Sequence, residues 1–327
     1  MRIAIVGCGA VGGYVGVKLA LAGEQVTFVA RGANLEAIRS RGVKLIMSDG
    51  AQLVATDVRA TADYSAAGPQ DLVILAVKAH QVQSIAPALP ALFGAETVVV
   101  TMQNGIPYWY FHGHAGPFEG RGVSAVDPGG VCLRHIPPAR VIGCVVYPAS
   151  VLEAPGIIRH IEGDRFPVGE LDGAASARVA AISACFTRAG FQAPVLENIR
   201  AEIWLKLWGN LTFNPISALT RATLVDICQY PPTRSLSAAM MAEAQAVAHK
   251  LGITFRVTIE RRIAGAERVG RHKTSMLQDL EAGRALETEA LLGSVLELAR
   301  MTDTAVPTLE TVYALTTLLG RPLETRA

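Results

Sequence analysis

The sequence predicts an α/β chain: an N-terminal doubly wound parallel sheet followed by an all-α-helical C-terminal domain. Three observations carry this. Residues 2–30 read as strand, glycine turn, helix and strand, a βαβ unit. DLVILAV (71–77) and TVVVTMQNG (97–105) are near-continuous apolar runs, as parallel strands buried on both faces should be. After about Glu170 the β-branched runs thin out and helical periodicity takes over. The expected division is a first domain over 1–170 and a second over 171–327.

The elements follow in order. RIAIV (2–6) is a β-branched strand, and the apolar stretch after its glycines runs as a helix to Ala22, where Gly23 stops it. QVTFVA (25–30) is the second strand, and a helix over 34–41 follows. GVKLIMSDGAQLVATDV reads as two strands around Asp49-Gly50, a hairpin signal. The stretch IPYWYFHGHAGPFEG, from Ile106, is rich in glycine, proline and aromatics and reads as loop: a lid, a dimer contact or a cofactor-edge segment. Strands resume in RVIGCVVYPASV and GIIRHIEGDRFPVGE.

Composition narrows the function classes. At 327 residues, half of them hydrophobic and 18% charged, the chain has ample core for two domains. A formal charge of +2 argues against nucleic acid or a membrane surface as partner. Five cysteines without a CxxC pair suit reduced thiols in a cytoplasm. The N-terminus lacks the basic region and cleavage site of a signal peptide, and no apolar run approaches a spanning helix. The expectation is a soluble cytoplasmic protein, with no metal and no membrane partner.

Gly7, Gly9 and Gly12 fit G-x-G-x-x-G, with Cys8, Ala10 and Val11 between them. The first glycine permits the tight turn and the second lets backbone N–H groups approach a pyrophosphate. The third allows close packing of helix on strand. A glycine-rich structural turn would look similar, but this one follows a strand and opens a helix, which marks a Rossmann-type domain. Where an NAD enzyme carries an acid after the second strand, this chain has Ala30-Arg31. A guanidinium suits a 2′-phosphate, so NADP(H) is expected over NAD(H), although Arg31 would also pass as a surface arginine. Lys78 and Asn104 each stand just past a buried strand, at the edge where such sheets bind ligands.

The second domain carries polar residues in odd places. In NIRAEIWLKLWGNLTFNPISALT (198–220) apolar residues recur at 199, 203, 207 and 211. Lys206, Asn210 and Asn214 share that spacing and line one stripe, with Glu202 on it too. Pro215 lacks an N–H, so the helix is expected to kink or break near Asn214 and free backbone groups there. HKTSMLQDLEAGRALETEALLGSVLELA (272–299) reads as helical, with Glu287 and Glu289 in its middle, where a solvated face would also explain them. Reduction of a ketone needs a proton donor, groups that hold a carboxylate, and exclusion of water. Lys206 fits the donor, with a pKa lowered by partial burial, and the asparagines fit hydroxyls and carboxylates. A snorkelling lysine with two satisfied amides is the alternative on this segment alone.

The segments GCGAVGG, VKAHQ, QNG, IRAEIWLKLWGNLTFNPISALT, TSMLQD and GRALE together resemble the ketopantoate reductase (2-dehydropantoate 2-reductase) family through nearly the whole length. That resemblance implies NADPH as reductant and a site in the cleft between a Rossmann domain and a helical one. It implies Lys206 as the proton-donating lysine and Glu287 as a second catalytic residue. Asn210, Asn214 and Ser275 match substrate-binding positions, and Asn104 one that touches cofactor and substrate. Arg31, Lys78 and, through its backbone, Ala149 match cofactor contacts beside the Gly7–Gly12 loop. The implied reaction reduces 2-dehydropantoate to (R)-pantoate on the way to pantothenate and coenzyme A. A paralogous reductase of another small 2-oxo acid, or a silent NADP-binding protein, are the alternatives, and a homodimer is possible. Two features depart from the family pattern: the long aromatic stretch over 106–139, and Leu224 about where a further asparagine is expected.

Overall fold

The computed structural model describes residues 1–321, which divide into two units. The first comprises Met1–Gln103, Phe111–Gly122 and Gly129–Ile199. It opens with β1 (Arg2–Val6), α1 (Ala10–Leu21), β2 (Gln25–Val29), α2 (Gly32–Arg41), β3 (Val43–Ile46) and β4 (Gln52–Ala55). There follow β5 (Arg59–Thr61), α3 (Tyr64–Ala67), β6 (Gln70–Leu75), α4 (Ala79–Ile85) and β7 (Phe93–Thr101). It closes with α5 (Val131–His135), β8 (Val141–Cys144), β9 (Ala149–Ala154), β10 (Ile157–Glu162), β11 (Val168–Glu170) and α6 (Ala177–Arg188).

Seven strands form one sheet in the order β11-β8-β7-β6-β1-β2-β5, parallel throughout except for β11 against β8. The apolar runs explain this. Ile3–Ile5 and Leu72–Leu75 are fully buried, as strands covered on both faces must be. Chain order reverses at β1, with β2 on one side and β6 on the other. That switch point puts a crevice beyond the carboxyl end of β1, where the glycine loop lies.

A smaller sheet, β4-β3-β10-β9, contains the expected hairpin around Asp49-Gly50. Gly50 takes the positive φ of +87° the turn needs, and Asp49 Oδ1 accepts the Ala51 N–H at 2.9 Å. Helix α1 packs on both sheets through glycines. A Cβ on Gly16 would sit 2.4 Å from the Phe28 ring, and one on Gly13 would sit 2.4 Å from Ile158.

The second unit is helical: Asn104–Tyr110, Val123–Pro128 and the described chain from Arg200 onward. Its helices are α7 (Ile199–Thr220), α8 (Leu224–Gln229), α9 (Pro231–Lys250), α10 (Ile259–Val269), α11 (Ser275–Glu281), α12 (Ser294–Met301) and α13 (Pro307–Gly320). A π-helical turn, Glu289–Gly293, runs directly into α12.

Three local expectations are corrected here. Helix α7 does not end near Asn214; it runs through Pro215 to Thr220. An interior proline costs about 3 kcal/mol, but Leu211, Phe213, Ile216 and Ala218 are all at least 97% buried around it. Full burial contributes about 1.5–3 kcal/mol for each large apolar side chain, so packing outweighs the local defect. The segment 272–299 is not one helix, because Gly283 at φ +63° ends α11 and the chain re-enters helix only at Thr288. The aromatic stretch is no surface lid at its start: Ile106, Tyr108, Trp109, Tyr110 and Phe111 are all buried. Within the second unit the Trp204 indole donates to the Tyr110 hydroxyl and Arg200 Nε to the Tyr110 carbonyl, both at 2.7 Å.

Candidate active site

In the first unit the glycine loop is built by sterics. Gly7 has φ +98°, and a Cβ there would stand 2.6 Å from Val77 Cγ1. A Cβ on Gly12 would meet the Gly7 carbonyl oxygen at 1.9 Å. At Gly9 the same construction meets nothing within 4 Å. Two glycines are thus needed by the fold, and the third faces open space where a diphosphate can approach the backbone. No side chain caps α1 at Gly9, so the helix dipole and its first N–H groups point at that space. These features fit a dinucleotide. Cys8 contributes backbone alone, because burial pushes its thiol up to about 12 and its side chain belongs to the core.

Asn34, absent from the sequence-based candidates, holds this loop. Its Nδ2 donates to the Cys8 carbonyl, and its Oδ1 accepts the Gly156 N–H at 2.7 Å. One amide thereby ties the glycine loop to the turn between β9 and β10. No local pattern announces it, since its partners lie 26 and 122 residues away.

Arg31 follows β2 directly, is exposed, and stands as the N-terminal flank of α2. Burial pushes the Tyr64 phenol up, and the positive charge of Arg31 pulls against it. Among the described residues no acid follows β2 directly, so nothing there favours a free ribose 2′-hydroxyl. Lys78 flanks the start of α4 just past β6, with its N–H capped by Gln81 Oε1 at 3.1 Å. Gln103, also missed, fixes this turn: its Nε2 donates to the Leu75 and Val77 carbonyls at 2.8 and 2.9 Å. Ala149 stands apart from the others, opening β9 in the smaller sheet.

In the second unit three predicted residues meet. Lys206 Nζ donates to Asn104 Oδ1 at 2.7 Å, and Asn104 Nδ2 donates to Glu287 Oε2 at 3.4 Å. An ammonium only donates and a carboxylate only accepts, so the chemistry of its neighbours sets which way the amide faces. Glu287 is 9% exposed, whereas Glu289 is exposed and accepts from the Tyr313 hydroxyl at 2.8 Å. The two glutamates that helical periodicity alone leaves equivalent are thereby separated.

The π-helical turn explains how Asn104 reaches Glu287. The Ala290 carbonyl accepts the Ile106 N–H at 3.1 Å, outside any helical ladder. Gly105, at φ +89°, lies so close that a Cβ would be 2.0 Å from that oxygen. Further along α7, Asn214 Nδ2 donates to Ser275 Oγ at 3.3 Å. Asn210 lies between, half-buried on the same stripe. Lys206, Asn210 and Asn214 of α7 are thus joined by Asn104, Ser275 and Glu287 from other segments, a set able to protonate an oxygen and orient a small polar acid. Among the described residues no cluster of histidine, cysteine, aspartate or glutamate could hold a metal ion.

Comparison with known proteins gives consistent likenesses. The family model described as "Ketopantoate reductase PanE/ApbA" matches residues 3–173, and its C-terminal counterpart matches residues 198–319. A 2-dehydropantoate 2-reductase of Mesorhizobium japonicum is 53% identical over 96% of this chain and 96% of its own. One from Halobacterium salinarum is 30% identical over 98% of this chain and 99% of its own. Among solved structures, the 2-dehydropantoate 2-reductase of Geobacter metallireducens GS-15 aligns with a TM-score of 0.85 at 26% identity, covering 97% and 99% of the two chains.

Proposed function

The chain belongs to the ketopantoate reductase family, and from that premise we propose that it reduces 2-dehydropantoate to (R)-pantoate with NADPH, in the formation of pantothenate and coenzyme A. The observation that carries the reading is the hydrogen-bonded series Lys206–Asn104–Glu287 on a chain that also has a dinucleotide loop. The domain over 1–170 would hold the cofactor, and that over 171–327 the oxo acid.

When bound, NADPH supplies a hydride to the C2 carbonyl carbon. The backbone of Gly7–Gly12 would hold its diphosphate, Arg31 its 2′-phosphate, and Lys78, Asn104 and the Ala149 backbone the remainder. Lys206 gives the proton to the forming alkoxide. Asn104 accepts from the ammonium and is itself held by Glu287, so the lysine does not have to be ordered at the moment of transfer. Asn210, Asn214 and Ser275 hold the substrate's carboxylate and hydroxyl.

A cytoplasmic location is supported by five cysteines that are all buried, none of them in a disulfide. Among the described residues, no helix is long and apolar enough to cross a membrane. A homodimer is part of the proposal, supported by the exposed Leu315 and Leu318 on α13. The test is NADPH oxidation with 2-dehydropantoate beside a panel of other 2-oxo acids. The highest kcat/KM is expected with 2-dehydropantoate; a higher value with another oxo acid overturns the substrate.

A further inference from the structure

The meeting of Asn104 and Glu287 depends on an irregular turn of helix. An α-helix rotates by about 100° per residue, so the extra residue of a π turn swings what precedes it by that much against the helix that follows. The turn over Glu289–Gly293 is closed by the Ser294 N–H on the Glu289 carbonyl, five residues back. Glu287 stands just before this turn and α12 just after it. The turn therefore sets the direction in which Glu287 faces. It also presents the Ala290 carbonyl, which accepts the buried Ser294 hydroxyl at 2.8 Å and, at 3.1 Å, the Ile106 N–H from the segment that carries Asn104.

A brace holds the turn from outside. Gly293 is buried, and a Cβ there would lie 2.1 Å from Glu289 Oε2 and 3.4 Å from Tyr313 Cε2. With no side chain at 293, the Glu289 carboxylate folds back over the turn. There its Oε1 accepts the Tyr313 hydroxyl of α13 at 2.8 Å. Burial and this hydrogen bond hold the Tyr313 phenol above its usual pKa, so it stays a donor at neutral pH. A glutamate that merely served a solvated face would need neither the glycine nor the tyrosine. π turns are rare, so contacts outside the helix must favour this one over the plain α register.

We propose that Tyr313 and Glu289 are positioning residues for the reduction: their hydrogen bond keeps the π turn wound, and the turn holds Glu287 and the Asn104 segment in place for Lys206. Gly293 is the residue that admits the carboxylate. This rests on the reductase reading given above.

The test measures kcat and KM with 2-dehydropantoate and NADPH in Tyr313→Phe, Glu289→Ala and Glu289→Gln. Tyr313→Phe and Glu289→Ala are each expected to lower kcat by about 3–10-fold, the weight of one hydrogen bond, with little change in the KM for NADPH. Glu289→Gln keeps an acceptor oxygen for the hydroxyl and should retain most of the activity. In a Glu287→Gln background the loss from Tyr313→Phe should shrink, since the brace acts in part through that carboxylate. A wild-type kcat in Tyr313→Phe overturns the assignment, as does a loss undiminished in the Glu287→Gln background. A loss in Glu289→Gln equal to that in Glu289→Ala overturns it too. Hydrogen exchange of the peptide over 104–110, which contains the Ile106 N–H, separates the two readings. Exchange should quicken in Tyr313→Phe and not in Glu289→Gln. Wild type without turnover but with that quickening sinks the reductase reading and upholds this one; wild-type turnover with exchange unchanged in Tyr313→Phe does the reverse.

Discussion

Lys206 and Asn104, 102 residues apart in the chain, are joined by a 2.7 Å hydrogen bond from the ammonium to the amide oxygen. The same amide gives its N–H to Glu287. An asparagine placed between a base and an acid keeps both at a fixed distance without neutralising either.

Lys206→Ala should lower kcat by ~10²–10⁴, the usual range for a general acid. The KM for NADPH should change little. A variant that keeps nearly full turnover would remove Lys206 from the chemistry.

Asn104→Asp puts a carboxylate where the amide oxygen now faces Lys206. An opposite charge at that distance favours the protonated amine and raises its pKa. The alkaline limb of the kcat profile should move to higher pH, while Asn104→Ala should not move it that way. An Asp variant with an unmoved limb would refute the pairing in the working enzyme.

Arg31→Ala should raise the KM for NADPH and leave that for NADH nearly as it was, narrowing the preference between them. The measurement is the ratio of kcat/KM for the two reductants. Wild-type preference for NADH would contradict the assigned 2′-phosphate site.

Gly105→Ala forces a side chain onto φ +89° and against the Ala290 carbonyl. The conformation alone costs about 1–2 kcal/mol, and the clash adds to it. Both the midpoint in urea and kcat should fall, because the turn carries Asn104. An unchanged kcat in the folded variant would separate the turn from the site.

Glu24 should contribute to acid sensitivity. Burial pushes its carboxyl up, but hydrogen bonds from the Met1 amine, Arg188 and Cys185 together bring it below the usual value. A lowered folded pKa gives stability that is present above the unfolded value near 4.5 and lost as pH falls through the folded one. Glu24→Gln should therefore lose stability relative to wild type at pH 6, with the gap closing toward pH 3. An equal gap at both would show that its ionisation plays no part.

Much of this was legible in the sequence because it is local. The glycine spacing, the apolar strands and the stripe of Lys206, Asn210 and Asn214 are all encoded within a few turns of chain. Glu287 was harder, since in sequence it looks no different from Glu289, and only packing buries one and exposes the other. Asn34 and Gln103 were missed because their function is to hydrogen-bond distant backbone, which leaves no periodic mark.

The sequence by itself determined the parallel sheet, the dinucleotide loop, the missing acid after β2, and a polar face on one helix. Each depends on periodicity or on a glycine's own freedom. Only tertiary structure decided that α7 passes through Pro215, that the aromatic stretch after Gly105 is core, and that Asn104 stands between Lys206 and Glu287. Those outcomes depend on packing between segments up to 183 residues apart, whose summed burial outweighs any single residue's local preference.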